Sequence, residues 1–146
     1  MKFEQNASFE NMVQSPRIDL LENGLLLKGK WHKEFFKNNQ PIVLELGCGK
    51  GEYTVGLAEK FPDKNFIGVD IKGARMWRGA RTATDNMMKN VGFLRTQIEL
   101  IDHCFSKGEV SEIWITFPDP HIKFRRRKKR LTSPSMLEKY RSILSD

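Results

Sequence analysis

Apolar residues fall along this chain in short dense runs separated by spaced stripes, the pattern of strands alternating with helices. The densest run is Ile42, Val43, Leu44 and Leu46, broken by one charge, Glu45. A run of this kind predicts a strand buried on both faces. It passes at once into Gly47, Gly49 and Gly51, where the backbone is free to turn sharply and to let a ligand approach. Val55, Leu57, Ala58 and Phe61 then predict a helix over 52–61, stopped by Pro62-Asp63. A second strand is expected over 65–70, ending in Asp70, and a long helix over 72–90. A third strand over 91–96 and a short helix over 99–105 follow, then a turn at Lys107-Gly108-Glu109. Ile113, Trp114, Ile115 and Phe117 predict a fourth strand over 113–117, ended by Pro118-Asp119-Pro120. The last helix has a clear start, with Ser133 as N-cap and Pro134 as first residue. Met136, Leu137, Tyr140, Ile143 and Leu144 give it an apolar face.

Ahead of these elements the pattern is weaker. Residues 1–16 are polar and aperiodic and read as a loose arm before a domain over 17–146. An apolar cluster over 20–27 surrounds a turn at Asn23-Gly24. Trp31, Phe35 and Phe36 predict a short helix over 30–37.

The succession βαβαβαβα predicts an α/β fold with a parallel sheet. Right-handed crossovers give the strand order 3-2-1-4. Ligands bind beyond the carboxyl ends at the point where that order reverses, between strands 1 and 4. Asp119, at the end of strand 4, should therefore face the glycine turn at the end of strand 1.

Composition adds bounds. A chain of 146 residues with 39% hydrophobic and 29% charged content suits one soluble domain. No apolar run approaches the roughly 18 residues of a membrane span. The first residues lack the build of a signal peptide, and two cysteines make neither a disulfide framework nor a zinc pattern. A cytoplasmic setting and no metal are expected. The net charge is +7, of which Arg125, Arg126, Arg127, Lys128, Lys129 and Arg130 supply +6 and the rest of the chain +1. Basicity so concentrated is the footprint of a polyanion, most often nucleic acid. Lys72, Arg75, Arg78 and Arg81 recur every three residues. They read as a solvated helix face, or else as an extension of the phosphate-binding surface.

The glycine turn is not that of a dinucleotide site. Its spacing is G-x-G-x-G rather than G-x-G-x-x-G. Glu45, two residues before Gly47, would repel a pyrophosphate and suits a sulfonium such as that of S-adenosylmethionine (AdoMet). Asp70 ends the second strand, where a carboxylate meets ribose hydroxyls. The histidines, His32, His103 and His121, are scattered with no ligand spacing. Cys48 reads as a small apolar filler, and Trp77 and Trp114 as core residues.

Three motifs taken together carry a resemblance: Glu45-Leu46-Gly47-Cys48-Gly49-Lys50-Gly51, Gly68-Val69-Asp70, and Phe117-Pro118-Asp119-Pro120 with Lys123 and the arginines beyond it. They resemble the bacterial tRNA (guanine-N7-)-methyltransferases, class I enzymes that place m7G in the tRNA variable loop with AdoMet as donor. Lys28-Gly29-Lys30-Trp31 is also similar, so the resemblance covers residues 28–144. It implies that Glu45, Gly47, Gly49, Gly51, Asp70 and Gln97 bind AdoMet, with Asp70 on the ribose and Gln97 near the adenine. It implies Asp119 both as the active-site acid and as a further AdoMet-binding residue, and Lys123 as a tRNA contact alongside Arg125, Arg126, Arg127, Lys128 and Arg130. His121-Ile122 stands where the family commonly has Trp-His. Family members continue beyond the position of Asp146, so the chain reads as the AdoMet-binding half of such an enzyme. An unfinished sheet would leave strand 4 as an apolar edge, which predicts self-association through it. The alternatives are a fragment that binds AdoMet or RNA without turnover, and an NAD-type oxidoreductase, which the glycine spacing and Glu45 disfavour.

Overall fold

A computed structural model describes residues 9–115 and 131–145. Its strands are β1 (Met12–Gln14), β2 (Ile42–Leu46), β3 (Asn65–Asp70), β4 (Val91–Arg95) and β5 (Glu112–Ile115). Its helices are α1 (Arg17–Asn23), α2 (Glu52–Lys60), α3 (Gly73–Asp85) and α4 (Pro134–Ile143). A π turn spans Trp31–Phe36 and a 3-10 turn spans Ile98–His103. The sheet runs β1-β4-β3-β2-β5 and every pairing is parallel. The expected order 3-2-1-4 is thus present as β4-β3-β2-β5, with β1 added at the far edge.

Alternation along the strands sorts the core into two layers. In β2, Ile42, Leu44 and Leu46 join one cluster with Trp31, Ile67, Phe105, Met136 and Ile143. Val43 joins the other, with Val55, Phe66, Met76, Ala80 and Phe93. Glu45 has the parity of Val43 and so points at the α2 side of the sheet. This inside position is what sets its role below.

Three expectations need correction, and one helix carried no sequence signal. The arm supplies β1, whose Met12, Val13 and Gln14 lie in register with Phe93, Leu94 and Arg95. Three residues are too few to show a period, and backbone pairing at an open edge needs none. Residues 17–23 form α1; only its Leu20 is buried, so no apolar stripe announced it. The long helix stops at Asp85 rather than near 90. Met88 N donates to Ala83 O at 2.9 Å and Met87 N to Thr84 O at 3.1 Å, with Met87 at φ 52°. That is a Schellman stop with a methionine where glycine is usual, so it carries no sequence signal. Trp114 is not core but 42% exposed; its strand neighbours Ile113 and Ile115 take the packed side. Trp77 is half-buried, with the Arg81 guanidinium 5.3 Å from its ring centroid.

Candidate cofactor site at the strand ends

The glycine turn is stitched to the end of β3. Gly47 N and Cys48 N both donate to Val69 O, at 2.8 and 3.1 Å, and Gly51 N closes the turn on Cys48 O at 2.9 Å. Gly49 N donates to Asp70 Oδ2 at 2.9 Å, and Lys72 N to Asp70 Oδ1 at 3.1 Å. One carboxylate therefore fixes two loops at once, the turn after β2 and the start of α3. Gly51 has φ 77°, and a Cβ there would sit 2.6 Å from Phe93 and 3.2 Å from the Gly79 backbone. The turn is pressed against α3 and β4, and only glycine fits.

Glu45 lies beneath the turn, 3% exposed. It accepts a hydrogen bond from Thr54 Oγ1 at 2.5 Å. A Cβ on Gly68 would stand 2.8 Å from that same hydroxyl, so the missing side chain makes room for the pair. Glu45 is thus a buried charge under the turn, not an open ligand surface. Burial first, then the Asp70 and Glu45 charges, push the Cys48 thiol well above its usual value; Arg75 opposes them. The thiol stays neutral, and the local field is negative.

Beyond β3 and β4 lies a cleft of about 490 Å³, bordered by Gln14, Pro16, Arg17, Ile71, Arg95 and Gln97. Arg17 Nη1 donates to Gln97 Oε1. Arg95 Nε donates to Ile71 O at 3.0 Å. The structure brings together Glu45, Gly47, Gly49, Gly51 and Asp70, and sets Gln97 in the cleft on the far side of β3. Asp119, Lys123, Arg125, Arg126, Arg127, Lys128, Lys129 and Arg130 lie outside the described residues. Sequence reading missed Thr54, Arg17 and Ile71. The one available signal was Ile71, an apolar residue directly after a strand-ending acid, now 45% exposed at the cleft. Among the described residues no group of three or more His, Cys, Asp or Glu side chains could hold a metal. None of the described helices is long and apolar enough to cross a membrane.

Comparison with known proteins follows the same line. A family model described as "Putative methyltransferase" matches residues 39–146. The chain is 62% identical to a tRNA (guanine-N(7)-)-methyltransferase of Christiangramia forsetii over 98% of its own length and 64% of that protein's. It is 59% identical to one of Bacteroides fragilis, over 98% and 56%. It therefore spans less than two thirds of the length of these relatives. The aminoglycoside resistance methyltransferase NpmB1 superposes with a TM-score of 0.62 at 18% identity, over 77% of this chain and 55% of that one; this shows the shared fold. With the fold, the glycine turn and these matches in agreement, the chain belongs to the putative methyltransferase family and is a relative of the tRNA (guanine-N(7)-)-methyltransferases.

Proposed function

We propose that this chain is the AdoMet-binding portion of an enzyme that methylates guanine N7 in tRNA. The observation that carries the reading is the Gly49–Asp70 hydrogen bond of 2.9 Å. It commits the turn's central amide to a carboxylate, so the turn offers an incoming pyrophosphate repulsion where a dinucleotide site offers free N–H groups. This disfavours the oxidoreductase alternative.

The residues present fit a nucleoside carrying a cationic sulfonium. Glu45 and Asp70 give the turn a negative field, and the cleft beside Ile71 and Gln97 has the size of a ligand pocket. When bound, AdoMet would supply the electrophilic methyl group. Asp70 keeps lone pairs to spare beyond its two N–H partners and would take the ribose hydroxyls. Ile71 would pack on the adenine and Gln97 meet its polar edge. Glu45 would act through its charge, held in place by Thr54. Guanine N7 has an in-plane lone pair and no proton, so no general base is required. Alignment is the main demand on the protein, and orientation supplies most of the rate. Asp119 would accept hydrogen bonds from guanine N1–H and its amino group and stabilise the positive charge that grows on the base. Lys123 and the run from Arg125 to Arg130 would hold the tRNA backbone.

The test is methyl transfer from labelled AdoMet to unmodified tRNA with mapping of the modified base, beside titration with S-adenosylhomocysteine (AdoHcy). Label at guanine N7 is the expected result. AdoHcy binding without transfer would leave the alternative, a non-catalytic fragment of such an enzyme. Absence of both transfer and AdoHcy binding would overturn the reading. Asp70→Asn should weaken AdoHcy at least tenfold, because an amide presents N–H to one of the two backbone donors. Asp119→Asn should lower kcat by a larger factor than it weakens AdoHcy.

Assembly belongs to the same reading. Among the described residues no strand pairs with the outer edge of β5; only Val110, just before the strand, is bridged on that side, by Leu144. Concentration-dependent self-association through that edge is expected, and a monomer by light scattering across the accessible range would exclude it.

A further inference from the structure

The outer face of α3 carries charges that its own helix disfavours. From Ile71 to Thr84 the chain has four cations, Lys72, Arg75, Arg78 and Arg81, and no acid. All four are exposed. Lys72 is the N-cap and Arg75 lies in the first turn, where the positive end of the helix dipole repels a cation. The helix's one acid, Asp85, sits at the opposite and equally unfavourable end. Compensation is thin. Arg78 meets Glu52 at 4.0 Å and Arg81 meets Asp85 at 3.6 Å, and both pairs are more than half exposed. Neither Lys72 nor Arg75 forms an ion pair with a described residue.

Geometry gathers these charges. Lys50, from the glycine turn, joins Arg75 and Arg78 around an open cleft of about 450 Å³ that Ala74 and Trp77 complete. Arg81 lies over the Trp77 ring, which holds its guanidinium against the surface. Successive cations along the helix rise about 4.5 Å apart. Arginine forks present paired donors to phosphate oxygens, and three of the four helix cations are arginines.

We infer that this cleft and helix face bind the sugar–phosphate backbone of the RNA substrate, as a second contact separate from the segment 125–130. The inference rests on the tRNA reading above and adds a site to it. The unfavourable placement on α3 is explained when a polyanion supplies the missing counter-charge. Contacts to phosphate carry no base information, so the site adds affinity alike across tRNAs.

The experiment is titration of a fluorescently labelled, unmodified tRNA transcript with the wild-type chain and with R75Q/R78Q/R81Q, between about 50 and 200 mM salt. The variant should bind at least tenfold more weakly at the lowest salt. Its slope of log Kd against log salt should be shallower by about two to three units. R78Q/R81Q should bind AdoHcy as the wild type does, and R78K/R81K should keep most of the salt slope. Should the triple variant melt early, the single variants replace it, each removing about one unit of slope. An unchanged Kd and slope in the variants, with tRNA bound by the wild type, would overturn this inference alone. A wild type that binds no tRNA would overturn it together with the tRNA reading.

Discussion

Gly49 and Gly51 adopt the same left-handed backbone two residues apart, with φ 56° and 77°, but their surroundings differ. A Cβ on Gly51 meets Phe93 at 2.6 Å, whereas one on Gly49 meets only the tip of Arg75 at 3.7 Å. Gly51→Ala adds overpacking of about 1–3 kcal/mol to backbone strain of about 1–2 kcal/mol. It should lower the melting temperature by many degrees. Gly49→Ala adds strain alone, so the fold should survive. The strain falls on the amide that holds Asp70 Oδ2 at 2.9 Å, the carboxylate assigned to the ribose, so AdoHcy affinity should fall at least tenfold. Thermal unfolding and calorimetric titration of the two variants separate the roles, and equal loss of binding and stability in both would refute the distinction. The spacing of the three glycines was legible from the sequence because a strand and a helix bracket it. That Gly51 is there for Phe93 and Gly79, residues 42 and 28 positions away, was not. Nor was the Glu45–Thr54 bond, since it depends on strand parity and on Gly68 standing clear.

Elements with their own chemical punctuation were read correctly, and those without it were not. α4 begins where Ser133 and Pro134 announce it, and Met136 N donates to Ser133 Oγ at 3.3 Å. α3 ends on a backbone motif at Met87 that no residue type marks, and β1 exists because β4 has an edge to pair. The start of α3 is a third case, a rule broken outright. Its N-cap is Lys72, with no side-chain cap. Lys72→Ser supplies a capping oxygen and removes a cation from the positive end of the dipole. Together these should stabilise the helix by about 0.5–2 kcal/mol. Chemical denaturation should show a higher midpoint with an unchanged m-value. The same variant should bind tRNA more weakly, if stability is what the natural sequence gives up there for an anion site. A lower midpoint would mean that Lys72 makes native contacts worth more than a cap.

At the scale of the whole molecule, the fold was legible because runs, turns and crossovers all pointed to one parallel sheet. Its response to alkaline pH was not, because it depends on which acids the packing keeps neutral. Burial, then the Asp102 charge, raises Cys104 to about 12 from 9.0. Burial, then the Glu99 charge, raises Tyr140 to about 12 from 10.0; its hydroxyl donates to Leu131 O at 2.6 Å. Cys48 is raised as well. In each case the folded chain holds a proton that the unfolded chain has already released. The unfolded state therefore binds fewer protons above the ordinary values, and stability must fall as pH rises. This contribution is fully present below about pH 9 and drains away between about 9 and 12. The urea midpoint should stay level from pH 7 to 8.5 and then decline steadily toward pH 10.5. Cys104→Ala will cost stability at every pH through lost packing, but it should make the alkaline decline shallower. That change of slope, rather than the change of level, is the signature of the buried proton. A variant whose curve runs parallel to the wild type's would show that the thiol takes no part in it.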